Sequence, residues 1–187
     1  MTIETVGIVG AGQMGNGIAH VCAIAGFDVA LNDLSVDRIQ AGLATINGNL
    51  TRLAAKDAIT EQQHNQALSR IKPAESFDAL AACDLVIESA AEKEDVKRKI
   101  FNELCAVLKP SAIIGSNTSS ISITRLAAST DRPEKFIGIH FMNPVPRMEL
   151  VELIRGIATE DATFEAARAF VTKRGKQIAV SEDFPAF

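Results

Sequence analysis

Gly10, Gly12 and Gly15 stand in the run Gly10-Ala11-Gly12-Gln13-Met14-Gly15, the spacing GxGxxG. Glycine is needed at such points where a backbone turns sharply out of a strand, comes close to an anion, and then packs a helix against a sheet. Those are the demands of a pyrophosphate held at a helix N-terminus. The motif alone recurs by chance. Its context narrows it, because an apolar run over 5–9 precedes it, a helical pattern follows, and Asp33 lies at the end of a second apolar run. A carboxylate there accepts hydrogen bonds from both ribose hydroxyls of an adenosine, and it repels a 2′-phosphate by on the order of a few kcal/mol. The pattern predicts a dinucleotide site selective for NAD over NADP. Arg38, nearby, reads as a solvated helix residue.

Ligands of open parallel sheets sit outside the carboxyl ends of the strands, so polar residues after each strand are the ones that could react. Glu88 and Glu92 follow one apolar run, Ser116-Asn117-Thr118-Ser119-Ser120 follows the next, and His140-Phe141-Met142-Asn143-Pro144-Val145-Pro146 follows a third. Glu152 stands inside the apolar run Leu150-Val151-Glu152-Leu153-Ile154. A carboxylate so placed is costly unless paired, and a histidine at a nearby strand end can pair it. Such a pair works as a general base: the carboxylate fixes the imidazole tautomer, and the other ring nitrogen takes a proton from a hydroxyl as hydride leaves the same carbon. Residue types alone fit a structural histidine in a buried ion pair equally well. His20, on the glycine-motif helix, and His64, among polar residues, are expected to pack or be solvated and to take no part in a reaction.

Hydrophobic periodicity supplies the elements that hold these groups. Period-2 or fully apolar runs predict strands over 5–9, 28–33, 84–87, 112–115, 135–139, 150–154 and 177–180. Apolar positions Met14, Ile18, Val21, Cys22 and Ala25 recur at helical spacing, and Gly26 sits where a helix terminates. A long helix from Ser35 and a second after the capping box Thr60-Glu61-Gln62-Gln63 predict a helical hairpin extending from the sheet over about 36–70. Further helices are predicted over 93–108 and 161–174. Strands alternating with helices imply an α/β fold, a Rossmann-type doubly wound and mainly parallel sheet forming one domain over 1–187.

The chain has 187 residues, 47% of them hydrophobic, and a formal charge of −4 with acidic and basic residues interleaved, which leaves no basic stripe for nucleic acid. No run reaches the roughly 18 apolar residues of a membrane helix. Three dispersed cysteines, Cys22, Cys83 and Cys105, have no metal-ligand spacing and read as buried thiols, so no metal is expected and a reducing cytoplasm fits.

Gly10 to His20, Leu31-Asn32-Asp33, Ser116 to Ser120 and Gly138 to Pro146 together resemble the L-3-hydroxyacyl-CoA dehydrogenases over essentially the whole chain. The resemblance implies NAD-dependent oxidation of the 3-hydroxyl of an acyl-CoA. It implies that His140 is the catalytic base, Glu152 its orienting partner, and Ser119 a ligand of the substrate's 3-oxygen close to the cofactor. Asn143, Glu92 and Lys97 would be further cofactor contacts beside Gly10, Gly12, Gln13, Met14, Gly15 and Asp33. Lys56 would pair with a CoA phosphate, with Asn49 a second CoA contact. Family members continue past a segment matched here by Pro185-Ala186-Phe187 into a helical domain that forms a homodimer and one wall of the acyl site. The chain therefore reads as the cofactor half with little activity, self-associating through an apolar patch at Phe184 and Phe187. Alternatives are a dehydrogenase of a non-CoA hydroxyacid, against which Lys56 speaks, and a non-catalytic NAD-binding structural protein, which has no need of Ser119, His140 and Glu152 together.

Overall fold

The computed structural model describes residues 2–173 and 175–183. Strand β1 (Thr5–Val9) feeds the glycine turn and helix α1 (Gln13–Ile24), and the chain returns along β2 (Asp28–Asn32), parallel to β1. Gly26, at φ 88°, lets the chain leave α1 in the left-handed conformation that ends so many helices. Helix α2 (Val36–Ala54) is capped by Ser35. Helix α3 (Glu61–Arg70) has the predicted capping box: Gln63 N–H donates to Thr60 Oγ1 at 3.1 Å and Thr60 N–H donates to Gln63 Oε1 at 2.8 Å. Helices α2 and α3 form a hairpin after β2. Ile46, Leu50 and Ala67 are buried in one core with Ile18 and Cys22, so both helices lie along α1. His64 is half-buried, and its Nε2 lies 3.1 Å from Asn47 Oδ1, tying α3 to α2.

Strand β3 (Ile71–Ala74) was not predicted. It pairs parallel with β2 at the sheet edge, where Pro73 needs no second ladder partner. The remaining elements are β4 (Leu85–Glu88), α4 (Glu94–Val107), β5 (Ile113–Ser116), the short helix α5 (Ile123–Ala127), β6 (Phe136–Phe141), β7 (Leu150–Arg155), α6 (Asp161–Thr172) and β8 (Gln177–Glu182). They complete one eight-stranded sheet in the order β3-β2-β1-β4-β5-β6-β7-β8. All neighbouring strands are parallel except the antiparallel pair β6 and β7. Helix α6 ends two residues earlier than expected, and Arg174, Phe184 and Phe187 lie outside the described residues.

Helices cover both faces of the sheet, and each face has its own core. On one side Phe27 meets Phe170 edge to face at 5.0 Å; on the other Phe101 meets Phe136 at 4.9 Å. Such pairs add roughly 0.5–1.5 kcal/mol to the burial of their area. Cys22 and Cys83 are buried as expected, whereas Cys105 is half-buried. Burial pushes the Cys83 thiol up to about 11, which keeps it inert. No helix among the described residues is long and apolar enough to cross a membrane.

Asp84 pins the start of the sheet. Its Oδ2 accepts the N–H groups of Glu4 and Thr5, each at 2.9 Å, and its Oδ1 accepts Lys109 Nζ at 2.7 Å. Burial pushes the carboxyl up, but these bonds outweigh it and hold it down at about 2. A carboxyl depressed on folding contributes stability above its unfolded value, and that stability is lost as pH falls through the folded one. Asp84→Asn is therefore expected to cost about 2 kcal/mol at neutral pH and to remove part of the acid-unfolding slope between about pH 4 and 2. Urea midpoints measured across that range check it; an unchanged acid limb would show that Asp84 does not report on folding.

Candidate active site

The glycine turn is shaped as a phosphate cradle. Gly10 has φ 103°, and a Cβ there would lie 2.6 Å from the Ser89 carbonyl oxygen. A Cβ on Gly15 would lie 1.6 Å from the Gly10 carbonyl oxygen, so turn and helix are in contact only because both residues lack side chains. A Cβ on Gly12 would meet nothing within 4 Å. That open space lies at the N-cap of α1, where no side chain accepts from the first turn, so the N–H groups of Gln13, Met14 and Gly15 are left for an anion. Asp33 stands at the tip of β2. Its Oδ2 accepts Ala11 N–H and its Oδ1 accepts Leu34 N–H, both at 2.7 Å, so the carboxylate also holds the turn in shape. Arg38 is largely exposed, as expected, with Nη1 3.7 Å from Asp33. The cradle fits a dinucleotide.

The antiparallel pairing of β6 and β7 sets His140 directly opposite Glu152. The predicted strand ended at residue 139; β7 extends the ladder through Phe141 and takes His140 into the sheet. His140 Nδ1 lies 2.7 Å from Glu152 Oε2, and Nε2 lies 2.9 Å from Ser119 Oγ. The two paired side chains are 15% and 23% exposed, enclosed but reachable from the cleft. With Nδ1–H donated to the carboxylate, Nε2 is left as the acceptor that faces the cleft.

The loop after β5 is tied down by Glu92. Its Oε1 accepts Ser119 N–H at 2.9 Å, Ser120 Oγ–H at 3.2 Å and the Thr118 hydroxyl. Burial raises the Glu92 carboxyl, but the Thr118 hydroxyl, the Lys97 charge and the Ser119 N–H together bring it below the usual range. Lys97 is 1% exposed. Its ammonium lies 2.7 and 2.9 Å from the two Glu88 oxygens and 3.3 Å from Glu92, with Ser116 Oγ donating to Glu88 at 2.8 Å. The lysine implied as a cofactor contact is thus enclosed beneath the site and reaches it through Glu92. Asn143, exposed in the loop after β6, accepts Gln13 Nε2 at 3.3 Å.

Met14, Glu92, Ser119, His140 and Asn143 line one cleft of about 290 Å³, together with Ser89 and Asn117. Those last two were not singled out from the sequence. Asn117 Oδ1 accepts Phe141 N–H at 2.8 Å, locking the end of β6 to the loop after β5; its place in the polar run 116–120 was the available signal.

A larger groove of about 950 Å³ runs from Gln13 and Asn143 to α2, where it reaches Asn49 and the exposed Lys56. Arg52, which donates to Asn49 Oδ1, and Arg147, Lys173 and Lys176 also line it, and no described acidic residue does. His20 borders this groove, 1% exposed. Burial, with the Lys176 charge second, lowers it to about 4, and its Nδ1 has no hydrogen-bond partner among the described residues. It is a neutral, packed histidine, as expected.

A family profile described as 3-hydroxyacyl-CoA dehydrogenase, NAD binding domain, matches residues 5–184. The chain belongs to the 3-hydroxyacyl-CoA dehydrogenase family. A 3-hydroxybutyryl-CoA dehydrogenase from Bradyrhizobium diazoefficiens is 74% identical over 99% of this chain and 63% of that protein. A 3-hydroxyadipyl-CoA dehydrogenase from Escherichia coli is 37% identical over the whole chain and 39% of that protein. The crystal structure of (S)-3-hydroxybutyryl-CoA dehydrogenase from Ralstonia eutropha superposes with a TM-score of 0.97 at 49% identity, covering 100% of this chain and 66% of that one. The chain thus spans a little under two thirds of these two 3-hydroxybutyryl-CoA dehydrogenases. As the NAD-binding domain of this dehydrogenase family, it takes NAD as its cofactor.

Proposed function

We propose that the protein oxidises the 3-hydroxyl of a short-chain (S)-3-hydroxyacyl-CoA, such as 3-hydroxybutyryl-CoA, to the 3-oxoacyl-CoA, in the cytoplasm and as a homodimer. The observation that carries the chemistry is the unbroken line Ser119 Oγ, His140 Nε2, His140 Nδ1, Glu152 Oε2, at a cleft that Met14 of the glycine turn also lines. NAD, when bound, supplies the hydride acceptor. His140 Nε2 takes the proton of the 3-hydroxyl, and Glu152 holds the ring in the required tautomer and stabilises the imidazolium that forms. Ser119 Oγ, held at hydrogen-bond distance from that nitrogen, orients the 3-oxygen so that its proton faces the base. Gly10, Gly12, Gln13, Met14 and Gly15 receive the pyrophosphate, Asp33 the adenosine ribose, and Asn143 and Glu92 the nicotinamide side. Lys97 acts through Glu92.

The cationic groove supports a CoA thioester over a non-CoA hydroxyacid, with Lys56 and Asn49 taking the phosphate end.

Calorimetric titration with NADH and NADPH tests the reading, followed by acetoacetyl-CoA added to the NADH complex. NADH is expected to bind at least about tenfold more tightly than NADPH, Asp33→Ala to lose that preference, and Lys56→Ala to weaken the acyl-CoA step. Equal binding of both nucleotides, or acyl-CoA binding indifferent to Lys56, would overturn the corresponding assignment.

A further inference from the structure

The Ser119–His140–Glu152 line is not specific to alcohol oxidation. Ser119 Oγ sits 2.9 Å from His140 Nε2, at the point where a substrate hydroxyl would deliver its proton. Because Nδ1–H is given to Glu152, Nε2 is the acceptor and the serine O–H the donor, so the hydroxyl closest to deprotonation is the protein's own. Ser119 is exposed in the cleft, and nothing on the described chain covers it. A serine, a histidine and a carboxylate in that order and at those distances form an acyl-transfer relay.

We propose that this chain carries a second, hydrolytic activity, with Ser119 as nucleophile toward small activated esters and thioesters. Oγ bonds to the carbonyl carbon as its proton passes to His140 Nε2. The carbon–oxygen or carbon–sulfur bond to the leaving group then breaks, and the imidazolium returns the proton to the departing atom. Water, deprotonated by the same nitrogen, attacks the acyl-serine and releases the carboxylic acid and the free serine. No oxidation state changes, and no nucleotide takes part.

The oxyanion of such a step needs donors, and two carboxamides line the cleft. Asn143 has its oxygen engaged by Gln13 and Asn117 its oxygen engaged by Phe141 N–H, so their NH₂ groups are the ends that can donate; that of Asn117 makes a long contact, 3.4 Å, to Ser89 Oγ. Glu92 works against an anion here, since its carboxylate accepts from Ser119 N–H, although Lys97 at 3.3 Å offsets part of its charge. The activity is accordingly slow, that of a reactive serine and not of a dedicated hydrolase.

The test uses this chain with a fluorophosphonate probe and, separately, p-nitrophenyl acetate, with neither nucleotide nor CoA present. One phosphonyl adduct is expected, located at Ser119 by peptide mass spectrometry, and a burst of p-nitrophenol approaching one equivalent. Ser119→Ala removes both, His140→Gln slows labelling about a hundredfold, and Glu152→Gln slows it about tenfold. The thermal midpoint of each variant establishes that it is folded. No adduct, an adduct on another residue, or labelling of Ser119 at an unchanged rate in His140→Gln overturns the proposal. Since no cofactor is in the mixture, that failure leaves the dehydrogenase reading standing, and failure of the nucleotide titration leaves this one standing.

Discussion

Gly12→Ala is expected to leave the stability of the chain almost unchanged and to lower NADH affinity about a hundredfold, whereas Gly15→Ala loses both. Gly12 has φ −65° and ψ −170°, a conformation any residue adopts, and a methyl there meets no atom of another part of the described chain within 4 Å. The only thing it can exclude is a ligand that approaches the backbone closely, which is the role of the second glycine in a pyrophosphate turn. At Gly15 the methyl would lie 1.6 Å from the Gly10 carbonyl oxygen, and backbone cannot swing aside as a side chain can. Alanine is the better helix former, so any loss comes from that clash, on the order of 2–3 kcal/mol, or about 5–10 °C for a chain of this size. Thermal unfolding and NADH titration of both variants separate the two effects. If Gly12→Ala binds NADH within threefold of the parent, the open space at the N-cap of α1 is not where the pyrophosphate lies.

Lys97→Met is expected to destabilise the chain by about 3–5 kcal/mol, a large part of the stability of an ordinary domain. Methionine matches the length and apolar stem of the lysine, so packing is nearly retained. What is lost is the cation between Glu88, which is fully buried, and Glu92. Among the described residues Glu88 would keep only Ser116 Oγ and Ala90 N–H as donors, too little to solvate a buried carboxylate. Adding Glu88→Gln to Lys97→Met removes the orphaned charge and should recover roughly half of the loss, a coupling that a double-mutant cycle in urea reads directly. A single-variant loss under about 1 kcal/mol would mean that water reaches the pair.

Much of the site was legible because its signals are local. The glycine spacing, the helix behind it and the acid at the tip of β2 all fall within one βαβ unit, and Thr60 and Gln63 announce α3 through a cap made within four residues. Strand β3 was missed because a four-residue run with Lys72 and Pro73 has no alternation, and α5 because five residues carry no period; both exist through their neighbours. Lys97 lies on a helix that the pattern reads only as charged, and it was the resemblance that named it, as a cofactor contact. Only folding shows that this helix turns it under the sheet toward Glu88, nine residues earlier in the chain.

Thirteen positions, His140 to Glu152, hold the general base, and their residue types suggested a pair before any contact was known. The contact itself depends on register, since a slip of one residue between β6 and β7 would turn one partner to the opposite face of the sheet. In the same way, residue types marked the polar run 116–120 and the resemblance named Ser119 within it, but its position at His140 Nε2 follows from β5 and β6 lying side by side and from Glu92 fixing the loop between them. Chain-local hydrogen bonds and hydrophobic period act over a few residues and can be read in order along the sequence. Pairing across a sheet and enclosure of charge act between segments tens of residues apart, and they take form only when the whole sheet closes.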